Sequence, residues 1–183
     1  MTGGDRPAGI VDAVTSSPAA TRALAAELAT LARPGDTVLL AGDLGAGKTT
    51  FAQGFAAGLG VEGPVTSPTF TLVRPYRCGP AGLDIGVRTL VHADVYRLDH
   101  LQEVVDLALV ELVEDAAVAL VEWGDVAAPV LGADALVVRI ERGEDDDERR
   151  IELVPGASWA GRAGELARRL APWARAVPGT GRP

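Results

Sequence analysis

The stretch Gly42-Asp43-Leu44-Gly45-Ala46-Gly47-Lys48-Thr49 fits the phosphate-binding pattern G-x-x-x-x-G-K-[ST]. It follows the apolar run Thr37–Ala41, which predicts a short buried strand, and it opens a helix predicted over Lys48–Leu59. Glycines allow backbone N–H groups to turn inward around phosphate oxygens, because no Cβ obstructs them. The free amides at the start of the helix face the same anion. Strand, loop and helix together predict a nucleotide site.

Two side chains of this loop have defined chemistry in the motif. The ammonium of Lys48 reaches the β- and γ-phosphates, and the hydroxyl of Thr49 ligates Mg²⁺. Of the 17 basic residues only Lys48 is a lysine, and all the others are arginines. The bulkier, planar guanidinium does not replace a compact ammonium here. A glycine-rich turn without a ligand is the alternative, and it leaves this single lysine unexplained.

Acidic residues end two other apolar runs of the chain. Val118–Glu122 has the shape of a Walker-B strand, and Leu90–Asp94 is similar but is interrupted by His92. A phosphate-binding loop needs a carboxylate at the end of a neighbouring strand to organise Mg²⁺ and the attacking water. We predict that Asp94 and Glu122 both serve the site, and spacing does not decide which of them touches the metal. A solvated strand end is the alternative for each acid, and His92 is interpreted as a core or hydrogen-bonded residue.

Two further features have two interpretations each. Thr66-Ser67-Pro68-Thr69 offers three hydroxyls, from Thr66, Ser67 and Thr69, between core elements. This is where switch-like loops contact the γ-phosphate, although a capped turn explains the hydroxyls equally well. Trp123 directly follows Glu122 and either packs in the core or covers the nucleotide.

Predicted strands and helices alternate along the chain. The predicted helices are Thr21–Leu31, capped by Ser16 or Ser17, then Leu101–Val113 and Ala157–Ala174. The predicted strands lie near Thr69–Val73, at Thr89–Val95 and Ala117–Val121, and in a hairpin of Leu136–Glu141 with Arg149–Val154, while Cys78–Arg88 is predicted as a loop. The fold class is α/β: a P-loop NTPase-like three-layer sandwich, whose mostly parallel sheet has an antiparallel edge. We predict a disordered tail over residues 1–15, a single P-loop ATPase domain over 16–175 and a disordered tail over 176–183.

Composition narrows the function classes. The chain has 183 residues, 48% of them hydrophobic and 23% charged, which is typical of an ordinary globular domain. The single cysteine excludes an internal disulfide, and we find neither a signal peptide nor a membrane-spanning run, so we expect a cytoplasmic protein without membrane contact. A net charge of -8 argues against strong direct binding to nucleic acid, which needs a basic face.

Two other nucleotide-dependent functions are alternatives to an ATPase. A GTP-dependent switch commonly recognises guanine through N-K-x-D, which a chain without asparagine cannot write. A P-loop small-molecule kinase needs a second substrate pocket and usually an arginine-bearing lid. Arg139, Arg142, Arg149 and Arg150 are available for such a lid, but their spacing shows no lid pattern.

Four motifs in unbroken order resemble the TsaE (YjeE) family. They are GDLGAGKTT at Gly42–Thr50, TSPTF at Thr66–Phe70, H-x-D-x-Y-R-L at His92–Leu98 and VEW at Val121–Trp123. This family is the bacterial ATPase of tRNA threonylcarbamoyladenosine biosynthesis. The likeness spans about residues 16–123 and is more specific than a single phosphate-binding loop.

The resemblance implies a protein that binds and slowly hydrolyses ATP with Mg²⁺. It would work with the TsaB–TsaD complex, which transfers threonylcarbamoyl to adenosine 37 of tRNAs reading ANN codons. Thr49 and Glu122 would hold Mg²⁺, Asp94 would support catalysis, and Pro18 would approach the adenine. The nucleotide-binding set implied in this way is Pro18, Gly42, Asp43, Leu44, Gly45, Ala46, Gly47, Lys48, Thr49, Thr50, Trp123, Asp125 and Arg149.

Overall fold

One mixed sheet of seven strands organises residues 9–96 and 116–175, which are the residues described by this computed structural model, apart from the side chain of residue 130. The strands are β1 (Val11–Thr15), β2 (Thr37–Ala41), β3 (Val73–Arg77), β4 (Thr89–Asp94), β5 (Ala117–Glu122), β6 (Leu136–Arg142) and β7 (Arg149–Pro155). Their order across the sheet is β1-β7-β6-β2-β5-β4-β3.

The sheet has a parallel centre and antiparallel edges. Strands β4, β5, β2 and β6 pair in parallel. Strand β7 pairs antiparallel with β6 and β1 at one edge, and β3 pairs antiparallel with β4 at the other. The predicted α/β class and the hairpin edge are confirmed, with a larger antiparallel share than expected. The carboxyl ends of β2, β4 and β5 lie at one edge of the parallel centre, where open α/β sheets bind ligands.

Helices cover both faces of the sheet. They are α1 (Pro18–Ala29), α2 (Lys48–Gly58), α3 (Pro80–Asp84), α4 (Gly124–Leu131), α5 (Ala157–Ala160), α6 (Ala163–Arg169) and a 3-10 helix (Ala171–Trp173). Of the two predicted caps for α1, Ser17 is the N-cap, since its hydroxyl accepts the N–H of Ala20 at 3.1 Å. Successive residues of β2 face opposite layers: Leu40 packs in the core beneath α1 and α2, and Leu39 packs with α4.

Helices α1 and α2 pack closely because α2 carries glycines on the contact face. A Cβ at Gly54 would collide with the backbone of Arg22, and one at Gly58 would lie 2.5 Å from the carbonyl oxygen of Ala26. The close contact holds the first turn of α2, and so the end of the phosphate-binding loop, against the core.

The N-terminal prediction is wrong in part. Residues 11–15 were predicted as the end of a disordered tail, but they form β1 and pair with β7 from Val11↔Leu153 to Thr15↔Arg149. Val11, Ala13 and Thr15 are buried, and the two residues between them are half-buried. So short an alternation becomes a strand signal only when a partner edge is present. Residues 1–8 and 176–183 of the two predicted tails lie outside the described residues.

Three other element boundaries differ from the prediction. The strand expected near 69–73 begins only at Val73, because residues 71 and 72 donate to the carbonyl of Pro68 in a turn and Leu72 has φ of +62°. The loop predicted over 78–88 contains α3. The single helix predicted over 157–174 is interrupted at Gly161 and ends in the 3-10 turn around Pro172. The helix predicted over 101–113 lies outside the described residues. Among the described helices, none is long and apolar enough to cross a membrane.

Candidate nucleotide site

A cleft of about 410 Å³ opens where β2, β4 and β5 end. Strand pairing sets its acids side by side, because Asp94 is the register partner of Glu122 and Glu122 is that of Leu40. The cleft is lined by Leu44, Gly45, Gly47, Lys48, Thr49, Thr50, Ser67, Thr69, Asp94, Tyr96, Glu122 and Trp123. Most of the residues predicted from the sequence therefore meet at one place.

The loop between β2 and α2 has a backbone that needs glycine. Gly42 has φ of +141°, and a Cβ there would strike the carbonyl oxygen of Ile140. Gly47 has φ of +110° and immediately precedes α2, so the first amides of the helix open directly toward the cleft. The loop therefore combines a tight turn with a helix N-terminus, as an anion site requires.

Lys48 is held across the mouth of the loop. Its Nζ donates to the carbonyl oxygens of Gly42 at 2.6 Å and Asp43 at 2.8 Å, and it lies 3.7 Å from the ring centroid of Trp123. Burial lowers the pKa of the Lys48 ammonium below its ordinary value, and the nearby carboxylates oppose that shift. These carboxylates, in order of effect, belong to Glu122, Asp125, Asp94 and Asp43.

Glu122 links the loop to β4. Its two carboxylate oxygens accept from the Thr49 hydroxyl at 3.1 and 3.0 Å, and Oε1 lies 2.9 Å from Nε2 of His92. Only 3% of Glu122 is exposed, and His92 is fully buried. Of the two candidate acids, Glu122 is the one beside the Thr49 hydroxyl.

Asp94 has a different set of partners. Its Oδ2 accepts from Ser67 at 2.6 Å and from Thr69 at 2.8 Å, while Oδ1 accepts the backbone N–H of Tyr96 at 3.0 Å. The two hydroxyls also contact each other at 2.8 Å. Thr66, the third predicted hydroxyl, lies apart from the cleft and accepts from Arg74 at 3.4 Å.

Trp123 lies between the buried core and the cleft, and its covering of a nucleotide stays a prediction. It has φ of +60° directly after β5, and its partly buried ring lines the cleft. The ring of Tyr96 packs on it with centroids 4.6 Å apart and an interplanar angle of 38°. The positive φ is uncommon for a bulky residue and turns the ring from the sheet toward Lys48.

A second small cavity, of about 20 Å³, lies on the far side of the loop. It brings Pro18 and Arg149 together with Gly47 and Thr50. Arg149 also donates from Nε to the carbonyl oxygen of Ala46 at 2.7 Å. Pro18, which the resemblance places near the adenine, and Arg149, which it places in the nucleotide-binding set, thus border the same loop.

Other predicted residues lie outside the main cleft. Gly42, Asp43 and Ala46 line a separate cavity of about 370 Å³ with residues of β6, including Arg142. Asp125 is exposed on the first turn of α4 and acts on Lys48 only through its charge. In residues 9–96 and 116–175, no three His, Cys, Asp or Glu side chains cluster as a complete metal cage.

Sequence reasoning missed three neighbours of the site: His92 as a partner of Glu122, Tyr96 against Trp123, and Arg142 beside Gly45. A Cβ at Gly45 would lie 2.7 Å from the Arg142 guanidinium. The sequence did contain a signal that His92 belongs to the site. Residues two apart on a strand point to the same face, so His92 shares a face with Asp94. The contacts of Tyr96 and Arg142 depend on tertiary structure and leave no local pattern.

Comparisons with known proteins agree on one family. The family model described as "Threonylcarbamoyl adenosine biosynthesis protein TsaE" matches residues 15–151. A relative from Bacillus subtilis, named tRNA threonylcarbamoyladenosine biosynthesis protein TsaE, is 44% identical over 137 residues, covering 75% of this chain and 80% of the relative. A protein of the same name from Streptomyces coelicolor is 44% identical over 147 residues, covering 76% and 93%.

A solved structure supports the same assignment. The crystal structure of Bacillus subtilis YdiB matches with a TM-score of 0.68 at 36% identity, covering 87% of this chain and 95% of that chain. The family match includes the phosphate-binding loop, both strand-end acids, β6 and the start of β7. On these grounds the chain belongs to the TsaE family of P-loop proteins.

Proposed function

We propose that this chain binds ATP with Mg²⁺, hydrolyses it slowly, and is required for threonylcarbamoylation of adenosine 37 in tRNAs reading ANN codons. The observation that carries the proposal is the convergence of Lys48, Thr49, Asp94 and Glu122 from three strand ends on one cleft. The names of the relatives, which refer to tRNA threonylcarbamoyladenosine biosynthesis, support the same pathway.

The donor set at Thr49 and Glu122 fits Mg²⁺. A hydroxyl and a carboxylate lie 3.0 to 3.1 Å apart on the cleft wall, and such hard oxygens are the ligands that Mg²⁺ prefers. We propose that these two side chains hold the ion, directly or through its waters. When bound, Mg²⁺ neutralises charge on the β- and γ-phosphate oxygens. Asp94 is less suited to this role, since Ser67, Thr69 and Tyr96 already occupy its oxygens.

Positioning and electrostatics do most of the work in phosphoryl transfer. Lys48 and the loop amides bind the phosphates, and Lys48 needs only to exchange two carbonyl oxygens for phosphate oxygens. The cluster of Asp94 with Ser67 and Thr69, on the strand next to Glu122, orients the attacking water. These roles use groups that already point into the cleft.

Dependence on a partner is supported by the charge of the cleft. Of the lining residues that the structure describes, Lys48 alone carries a positive charge and none is an arginine, while the guanidinium groups of Arg142 and Arg149 lie beside the loop outside this lining. P-loop enzymes that receive an arginine from a partner gain about 10³–10⁵ in rate. We therefore propose a low basal rate that rises with the TsaB–TsaD complex, in the cytoplasm and without strong tRNA binding by this chain itself.

The proposal is tested by reconstitution of the modification reaction. TsaB–TsaD, tRNA, ATP and a threonylcarbamoyl donor are combined with the wild-type chain, with Lys48→Ala or with Arg168→Ala. Arg168→Ala removes an exposed positive charge from α6, away from the cleft, and serves as the matched control. We expect Lys48→Ala to abolish threonylcarbamoyladenosine formation and the control to retain it. Equal product with Lys48→Ala would refute the proposal, and phosphoryl transfer to a small molecule rather than to water would favour the kinase alternative.

A further inference from the structure

His92 interrupts an otherwise apolar strand for a reason that core packing does not explain. It is fully buried in β4, between Val91 and Ala93 on the strand. Its Nε2 lies 2.9 Å from Oε1 of Glu122, the acid beside Thr49. Its Nδ1 has no hydrogen-bond partner among the described residues. A leucine would fill the space without leaving a buried polar atom unpaired.

The hydrogen-bond pattern assigns the tautomer of this imidazole. An ionised carboxylate only accepts hydrogen bonds, so Nε2 must carry the hydrogen that lies between His92 and Glu122. A hydrogen on Nδ1 would be a buried donor without an acceptor in the described residues. The single N–H group of the ring is therefore directed at Glu122.

This contact restricts how Glu122 can turn. With Oε1 held by His92, rotation of the carboxylate about its last torsion is limited, and Oε2 stays 3.0 Å from the Thr49 hydroxyl. We propose that His92 is a positioning residue of the nucleotide site: its Nε2–H fixes the Glu122 carboxylate so that Oε2 and the Thr49 hydroxyl present a preset oxygen pair to the cation of Mg·ATP. The inference rests on the proposed function and adds to it a residue that does not touch the nucleotide.

Three variants separate positioning from packing. His92→Leu removes the donor, His92→Asn retains an amide that reaches only the Nδ1 position, and His92→Gln retains an amide that reaches the Nε2 position. Each variant is titrated with ATP at a series of Mg²⁺ concentrations and again with EDTA. Circular dichroism establishes that each variant is folded, and His92→Asn carries the test if His92→Leu does not fold.

The expected result is a change in Mg²⁺ dependence alone. Loss of an outer-shell partner typically lowers metal affinity by about 10–100-fold, so His92→Leu and His92→Asn should need at least about tenfold more Mg²⁺ for half-maximal ATP binding. His92→Gln should stay within about threefold of wild type, and binding in EDTA should be the same in all four proteins. An unchanged Mg²⁺ requirement in the Leu and Asn variants, or a tenfold loss in the Gln variant, would overturn the inference.

A measurement without nucleotide tests the contact itself. The chain has two histidines, so long-range ¹H–¹⁵N spectra of wild type and His92→Leu assign the His92 ring directly. We expect an Nε2–H tautomer with a slowly exchanging proton, and an Nδ1–H tautomer would overturn the inference. Failure of the wild-type chain to bind Mg·ATP at all would overturn the proposed function and the inference together. If the wild-type chain binds Mg·ATP and the Leu and Asn variants keep its Mg²⁺ dependence, the inference alone is overturned.

Discussion

Replacing Arg162 with methionine should destabilise the fold strongly, because it leaves a buried carboxylate without its counter-charge. The guanidinium donates to both oxygens of Asp36 at 2.7 Å, and also to the carbonyl oxygens of Leu31 at 2.6 Å and Ser158 at 2.9 Å. It lies 4.0 Å from the ring centroid of Trp159, and both members of the ion pair are buried. The contacts join α5 and α6 to the turn before β2.

The magnitude follows from what Asp36 keeps after the change. Removing one partner of a buried ion pair typically costs about 3–5 kcal/mol. Asp36 still accepts the N–H of Arg33 at 2.7 Å, so we expect a loss near the lower end, about 3 kcal/mol. For a chain of this length that corresponds to a fall of roughly 6–12 °C in Tm.

Urea and thermal unfolding followed by circular dichroism measure this loss. The control is Arg169→Met, which removes an exposed pair with Glu27 at 2.8 Å and should cost at most about 1 kcal/mol. The double variant Asp36→Asn/Arg162→Met removes both charges, and it should be more stable than Arg162→Met alone. If Arg162→Met loses no more than Arg169→Met, the ion pair does not anchor the C-terminal helices and the reasoning fails.

Three further predictions concern the cleft. Glu122→Gln should reduce Mg²⁺-dependent ATP affinity by at least about tenfold, measured by titration against Mg²⁺, because an amide holds the cation more weakly. Ser67→Ala with Thr69→Val should lower the partner-stimulated rate by about 10–100-fold with little change in ATP affinity, because Asp94 loses the two hydrogen bonds that orient it; an unchanged rate would show that the hydroxyls are only a capped turn. Burial lowers the pKa of Lys48 below 10.5, so the ammonium loses its proton at a lower pH than a free lysine does. We expect Mg·ATP affinity to fall over the same pH range. In the pH window between the folded and unfolded pKa values of Lys48, the unfolded chain binds more protons, so stability rises with pH while ATP affinity falls. Urea unfolding and ATP affinity of the wild-type chain across alkaline pH check the two signs, and Lys48→Arg, which does not titrate in this range, is the control for unfolding alone.

The parts of the site that the sequence predicts are those encoded locally. The loop around Lys48 needs glycines at set positions between a strand and a helix, so eight residues are enough to predict its function. Glu122 and Asp94 follow apolar runs, which marks them as strand ends without any knowledge of their neighbours. Which of them lies beside Thr49 depends on strand register and side-chain direction, and spacing could not supply it.

Features that depend on a partner far away in the sequence were not predicted, because no local pattern encodes them. β1 is a strand only because β7 offers it an edge, and β7 is itself more than 130 residues further along the chain. The break at Gly161 is favoured by the contacts that Arg162 makes with Asp36 across the core. Local propensity over 157–174 predicts one helix, and tertiary contacts override it.

The arrangement of the two acids explains why the hydrolysis that we propose should be slow in this chain alone. Glu122 already has Thr49 and His92, and Asp94 already has Ser67, Thr69 and the amide of Tyr96, so both carboxylates are oriented before a nucleotide arrives. Preorganisation of this kind lowers the cost of reaching the transition state, because little has to move. The remaining barrier is then the charge that develops on the phosphoryl oxygens, and Lys48 is the single cation among the described residues of the cleft wall. A partner that adds positive charge at the cleft mouth should therefore raise the rate constant far more than it raises ATP affinity, and a partner that changes affinity alone would contradict this account.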